Sequence, residues 1–168
     1  SIDSKIYSTS VDPAEKTLMD SYTTEYPHLF ENSIVMKWQL PENIIIEQSF
    51  RAVANLTFVD IKITNTDTKS HSAGVRINLD TMIGKNDGAP IYIPGDGLKT
   101  TEKSYYGSEL NFEYWKAYND PSEPTIVATG IIDPKKGLTQ VDKLIIGDWK
   151  KTKDSAWDYQ IDAERSIG

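Results

Sequence analysis

The chain has 168 residues, a length that suits one domain with a real hydrophobic core, and it carries a formal net charge of −7. It contains no cysteine, which excludes disulfides, thiolate metal sites and cysteine nucleophiles together. Its basic residues gather only into pairs such as Lys135-Lys136 and Lys150-Lys151, which argues against a nucleic-acid partner, and no run of about 18 apolar residues is present to form a membrane-spanning helix.

Residues 1–31 are polar with short apolar islands and are expected to be irregular. Pro13 to Asp20 has the makings of one or two helical turns, with Asp12 as N-cap and Pro13 as the first helical residue. Tyr22 to Phe30 reads as an irregular cover over the core. Strands are predicted from Ile34 onward: Ile34–Trp38, a turn at Pro41-Glu42-Asn43, then Ile44–Val53. In the latter, Ile44, Ile46, Gln48, Phe50 and Ala52 form the better core face. Leu56–Thr64 alternates apolar with polar, with a slip of phase near Val59 that a β-bulge would absorb. A polar turn follows at Asn65–Ser72, and Ala73–Asp80 alternates again with Ala73, Val75, Ile77 and Leu79 inward. These two segments are expected to pair as a hairpin that delivers an acidic loop, Asp80 to Pro90.

Beyond the loop, Ile91–Ile93 is a short predicted strand closed by Pro94-Gly95-Asp96-Gly97, and Leu98 to Gly107 extends another. Leu110 to Tyr118 is aromatic-rich and reads as a helical turn or a covering loop. Thr125–Ile132 and Lys143–Trp149 are predicted strands, with a turn at Asp133–Gly137 between them. Roughly seven to nine strands with turn signals between them suit an all-β, antiparallel β-sandwich with little helix. No repeat or linker divides residues 1–168, so one sandwich domain is expected. The first residue is Ser1 rather than Met, and Asp158–Gly168 reads as a strand that stops in mid-course. Both features suggest a fragment of a longer protein that lacks one or more C-terminal strands.

The acidic loop is the main candidate site. Asp80, Asn86 and Asp87 offer oxygen donors, and Gly84 and Gly88 let the backbone bend so that carbonyls join them, as a Ca²⁺ ion requires. Asp96 or Glu102 would complete such a site. The spacing is not that of an EF-hand, and Asn86-Asp87-Gly88 is equally a structured turn. A second candidate is an aromatic platform for glycans, with Tyr114, Trp115 and Tyr118 as ligand-binding residues; Tyr105, Tyr106 and Phe112 lie nearby in sequence. The alternative is a lid on the core. Asp80, Asp87, Glu102 and Glu113 are the acids that would serve a glycoside-hydrolysing pair. His28 and His71 read as surface or loop-packing residues, and neither a G-x-S-x-G elbow, a zinc pattern nor a P-loop is present. Asn55-Leu56-Thr57 is a formal glycosylation sequon.

The run Val59 to Thr66, then His71 to Gly84, then Asn86 to Pro90 resembles β-sandwich domains of large bacterial and archaeal surface or secreted proteins, mostly uncharacterised and similar in outline to galactose-mutarotase-like supersandwiches. Pro124–Gly130 and Gly147-Asp148-Trp149 share the likeness. The resemblance implies a fold and a secreted or cell-surface setting, and it transfers no catalytic residue. The leading expectation is therefore a non-enzymatic surface domain that supports contacts with a glycan or another protein chain. The alternatives are a carbohydrate-binding module or mutarotase-like enzyme fragment, and a self-assembling surface subunit whose final strand leaves an open edge.

Overall fold

The computed structural model describes residues 1–9, 16–155 and 157–167. Among these the chain is all-β: its sheets are antiparallel apart from one parallel pairing, and there is one short α-helix. The residues form two compact units, Ser1–Arg76 and Ile77–Gly168.

In the first unit, β1 (Tyr7–Ser8) and β2 (Thr17–Leu18) make the parallel pair. The expected helical turn at Pro13–Asp20 is not seen where it can be read: Pro13, Ala14 and Glu15 lie outside the described residues, and Thr17–Leu18 is strand. The body of the unit is a four-stranded meander of β3 (Thr23–Phe30), β4 (Ser33–Gln39), β5 (Ile44–Val53) and β6 (Leu56–Asn65). The expectation of an irregular Tyr22–Phe30 is corrected, because Thr23–Phe30 pairs with β4. The strand is masked in the sequence by its own irregularity. Its register shifts between Thr23 and Glu25 and again between Glu25 and His28, which breaks the alternation. It also contains Pro27, which an edge strand tolerates because one row of its N–H groups has no ladder partner to lose.

The expected hairpin is also corrected. β6 pairs along its whole length with β5, from Ile44 opposite Asn65 to Val53 opposite Leu56, with no bulge at Val59. Ala73–Asp80 is not a strand; Ala73 alone makes a bridge, to Ile2. Ala73, Val75, Ile77 and Leu79, expected inward, are exposed. Periodicity sets which side chains share a face but does not choose the partner strand. Here β6 pairs with β5 across the two-residue turn Ala54-Asn55, and its other edge carries no strand among the described residues. The turn was hidden because it has no glycine: Ala54 takes the left-handed region at φ 54°, as Glu31 does at 52° in the β3–β4 turn.

One end of this sheet is covered. Ile2, Leu40 and Ile44 are buried together, with Tyr7, Tyr22, Ile46 and Ile63 packed around them. The same face runs on toward the hairpin ends, so that the face expected to be core is buried only at Ile44 and its neighbours.

In the second unit, β7 (Ile91–Ile93), β8 (Gly97–Lys99), β10 (Tyr114–Tyr118) and β11 (Val127–Ile131) form a sheet in the order β11-β10-β7-β8. A two-stranded sheet joins β9 (Lys103–Tyr106) to β12 (Lys143–Ile146). Both sheets feed one hydrophobic cluster of Ile83, Ala89, Ile91, Ile93, Tyr105, Phe112, Ala117 and Ile146. Tyr114–Tyr118, expected as a helical turn or loop, is a strand; its edges pair with Val127–Ile131 and Ile91–Tyr92. The strand predicted over Lys143–Trp149 ends at Ile146, and Trp149–Asp154 is the helix α1, capped by Asp148, whose carboxylate accepts the Lys151 N–H at 2.8 Å. Asp158–Gly168 was expected to be a strand, but its described residues make only a bridge between Ser166 and Thr101.

A tyrosine-bearing sheet face as the candidate site

Side chains alternate across a strand, so β10 presents Trp115 and Ala117 to one side and Tyr114, Lys116 and Tyr118 to the other. Ala117 is buried in the cluster and Trp115 packs against it, which makes theirs the core side. Trp115 lies opposite Gly130 on β11, and a Cβ on Gly130 would meet the indole Cε2 at 2.1 Å. The ring is therefore laid over the bare backbone of its neighbour. The expected trio is thus divided: Trp115 faces the core, while Tyr114 and Tyr118 share the outer face.

Register completes that outer face. Lys116 sits opposite Thr129 on one side and Tyr92 on the other, and Tyr92 sits opposite Leu98. Tyr118 pairs with Val127 and Tyr114 with Ile131. The three tyrosines and Lys116 are half-buried, whereas Leu98, Val127, Thr129 and Ile131 are exposed. The Lys116 ammonium stands 5.3 Å from the Tyr114 ring centroid, a cation–π contact that holds both side chains against the sheet. The result is a patch of three half-buried tyrosines and a lysine with an apolar margin. The sequence pointed to Tyr114 and Tyr118 but missed Tyr92, because only strand register places it beside them.

The acidic loop occupies a different place. Asp80 and Asp87 are exposed. The Asn86 side-chain amide donates to the Asn119 carbonyl at 3.0 Å, and an Ile83–Asn86 bridge closes the turn. Gly84, Lys85 and Asn86 line an open cleft of about 490 Å³ with Asn119 and Ile126. The Asn119 side-chain oxygen accepts the N–H groups of Thr125 and Ile126 at 3.0 and 2.8 Å, so it braces the loop before β11. Among the described residues no group of three or more His, Cys, Asp or Glu side chains is placed to hold a metal ion.

Asp96 and Glu102, the acids expected to complete a cation site, have other partners. Asp96 accepts the Tyr105 hydroxyl at 2.8 Å and pairs with Lys99 at 2.7 Å, and these contacts hold its carboxyl below the usual range. Burial, helped by the Asp96 carboxylate, pushes the Tyr105 hydroxyl well above an ordinary phenol. Glu102 is 1 % exposed. Its Oε1 accepts the Tyr159 hydroxyl at 2.6 Å, the Asp148 N–H at 3.1 Å and the Arg165 guanidinium at 3.4 Å, and its Oε2 accepts the Asp162 N–H at 2.7 Å. Burial pushes its pKa up, but the donors outweigh it and the carboxyl sits below its ordinary value. This carboxylate joins β9 to the start of α1 and to the C-terminal residues, a structural role that its isolated position in the sequence did not reveal. Glu113 is exposed and pairs with Lys135 at 3.3 Å. His28 lies on β3 with its Nδ1 2.9 Å from the Tyr26 carbonyl, and His71 lies in the turn after β6. Asn55 of the sequon is exposed at the β5–β6 turn.

Set against known proteins, the chain matches no family model, and no curated protein and no solved structure gives a significant match.

Proposed function

We propose that the chain is a non-catalytic binding domain of a secreted or cell-surface protein, and that it takes glycans on the outer face of the β11-β10-β7-β8 sheet. The observation that carries this reading is the register that sets Tyr92, Tyr114 and Tyr118 around Lys116 on one sheet face. Pyranose rings have an apolar face that stacks on aromatic rings and a rim of hydroxyls that needs polar partners. A tyrosine supplies both surfaces, and the lysine adds a donor that favours an anionic sugar. Two of the four acids weighed for hydrolysis have structural partners, which supports a binding role. Glu102 is fully engaged within the fold, and Glu113 is paired with Lys135. The likeness of the loop region to surface-protein sandwiches supports the setting. Glycan-array binding tests the reading: hits that disappear in Tyr114→Ala and Tyr118→Ala support it, and a blank array counts against it.

A second reading rests on the first unit. Leu29, Ile34, Phe50 and Val59 stand directly opposite one another across β3, β4, β5 and β6, and each is 38–75 % exposed. An apolar row of this kind favours self-assembly through sheet faces. Sedimentation velocity tests it: oligomers that dissociate in Ile34→Lys favour the reading, and a monomer at all concentrations removes it.

A further inference from the structure

We propose that His71 is a pH-operated clasp that fastens the N-terminal segment to the turn after β6, closed while its imidazole carries both protons and opened when one is lost. Each ring nitrogen meets a carboxylate from a different segment. Nδ1 lies 2.5 Å from Asp3 Oδ2 and Nε2 lies 3.1 Å from Asp67 Oδ2. Carboxylates accept hydrogen bonds and donate none, so both nitrogens must carry hydrogen for both contacts to be favourable. A neutral imidazole has a single N–H, and its remaining lone pair would face a carboxylate oxygen. The clasp is therefore selective for imidazolium by geometry alone.

The contacts around it show what is being held. The second Asp3 oxygen accepts the Ser72 N–H at 2.8 Å, and the Asp3 N–H donates to the Ser72 carbonyl at 2.9 Å. Asp3 and Ser4 both take left-handed backbone angles, φ 45° and 70°, a bend that L-residues keep only when surrounding contacts hold it. That bend places Ile2, 2 % exposed, in the cluster with Leu40 and Ile44. The charged groups that face His71 are Asp3 from the N-terminal segment and Asp67 from its own turn. The other charges nearby are directed elsewhere: Lys5 pairs with Glu42 at 3.5 Å, the Ser1 ammonium donates to the Gly74 carbonyl, and Lys69 is exposed.

The two carboxylates raise the His71 pKa above its ordinary 6.5, with Asp3 the larger cause. A raised folded value means that the stabilisation is fully present below 6.5 and is lost as pH rises through the folded value. Asp3 and Asp67 are depressed below 3.8, chiefly by His71, so their share is present above 3.8 and is lost as pH falls through their folded values. The clasp is closed between these limits, and its alkaline edge is set by His71. When it opens, Asp3 is released from His71 and its hold on the Ser72 N–H loosens, while the backbone bonds to Ser72 and Gly74 still retain the N-terminal segment.

Long-range ¹H–¹⁵N NMR of the imidazole rings, recorded on the whole chain through a pH titration, tests this. His71 is expected to titrate with a midpoint above 6.5, with both ring nitrogens protonated below that midpoint. Asp3→Asn and Asp67→Asn should each lower that midpoint. Hydrogen-exchange protection of the Ser72 amide, corrected for intrinsic exchange, should fall across the midpoint by about tenfold for each pH unit separating it from the open-state value. In His71→Gln that fall should vanish. A midpoint at or below 6.5, or one that Asp3→Asn leaves unmoved, would overturn the clasp, and the wild-type titration decides even if a variant fails to fold.

Discussion

Glu102→Ala is the perturbation whose cost the structure defines best. The carboxylate is buried and accepts from two backbone N–H groups, one hydroxyl and one guanidinium, which belong to Asp148, Asp162, Tyr159 and Arg165. Truncation removes every acceptor at once. It leaves the Asp148 N–H, beside the start of α1, and the Asp162 N–H without partners, and the Tyr159 hydroxyl keeps only its contact with Arg165 at 2.7 Å. Each buried donor left unsatisfied costs about 1–3 kcal/mol, whereas Arg165, whose side chain is 35 % exposed, keeps water and Asp162 as partners and adds little. Because these contributions overlap within one network, we expect a loss of about 2–4 kcal/mol rather than their sum. Glu102→Gln keeps the shape and one oxygen. It can still serve the donors at Oε1 but turns an N–H₂ toward the Asp162 N–H, so we expect about 1–3 kcal/mol. Urea melts followed by tryptophan fluorescence, with Trp149 inside α1 as a local reporter, measure both. Since the folded pKa of Glu102 is depressed, its stabilisation is present above the ordinary 4.5 and disappears as pH falls through the folded value; the difference between wild type and Glu102→Gln should shrink in the same window. A Glu102→Ala protein within about 1 kcal/mol of wild type would refute the reasoning, because a network of this kind cannot be removed so cheaply.

Three further outcomes follow from local geometry. Gly130→Ala places a methyl group inside the Trp115 indole, so the ring must swing off the core; we expect a loss of about 1–3 kcal/mol and a changed near-UV circular dichroism band, and an unaltered band contradicts the stacking. Ala54→Gly relieves a left-handed angle in the β5–β6 turn at the cost of unfolded-chain entropy, and a net gain of about 0.5–1 kcal/mol in a urea melt is expected; a loss would mean that the turn is not strained. Millimolar Ca²⁺ should leave Tm unchanged, since among the described residues Asp80 and Asp87 belong to no group of three or more His, Cys, Asp or Glu side chains that could hold a metal ion; a rise of several degrees would show a cation site in the loop.

The strands with strong alternation or β-branched runs were legible: Ile44–Val53, Leu56–Asn65, Ile91–Ile93 and the stretch around Val127–Ile131 stand where their patterns put them. So was the turn at Asp133–Gly137, whose Asp cap, Pro134 and left-handed Gly137 at φ 79° form a short 3₁₀ turn. Pairing was not legible. Ala73–Asp80 has the alternation of a strand, yet β6 pairs with β5 through a turn with no glycine and its other edge takes no strand among the described residues. Thr23–Phe30 is a strand whose bulged register and Pro27 erase its pattern. The same limit governs the candidate site. Tyr114 and Tyr118 were visible as part of an aromatic run, but whether Trp115 joined them depended on strand against loop, and Tyr92 entered only through the β7–β10 register. Buried acids such as Glu102 carry no mark in sequence, because their partners are scattered from Asp148 to Arg165.

The claim that matters most is that Tyr92, Tyr114, Tyr118 and Lys116 form a glycan-binding surface. Its most direct test is ¹H–¹⁵N chemical-shift mapping of the whole chain titrated with the strongest oligosaccharide hit from an array. We predict saturable shifts confined to β7, β10 and β11, strongest at Tyr92, Lys116 and Tyr118 and absent in Tyr118→Ala. Shifts centred on the Gly84–Asn86 loop or on the β3–β6 sheet instead, or none at all, would contradict it.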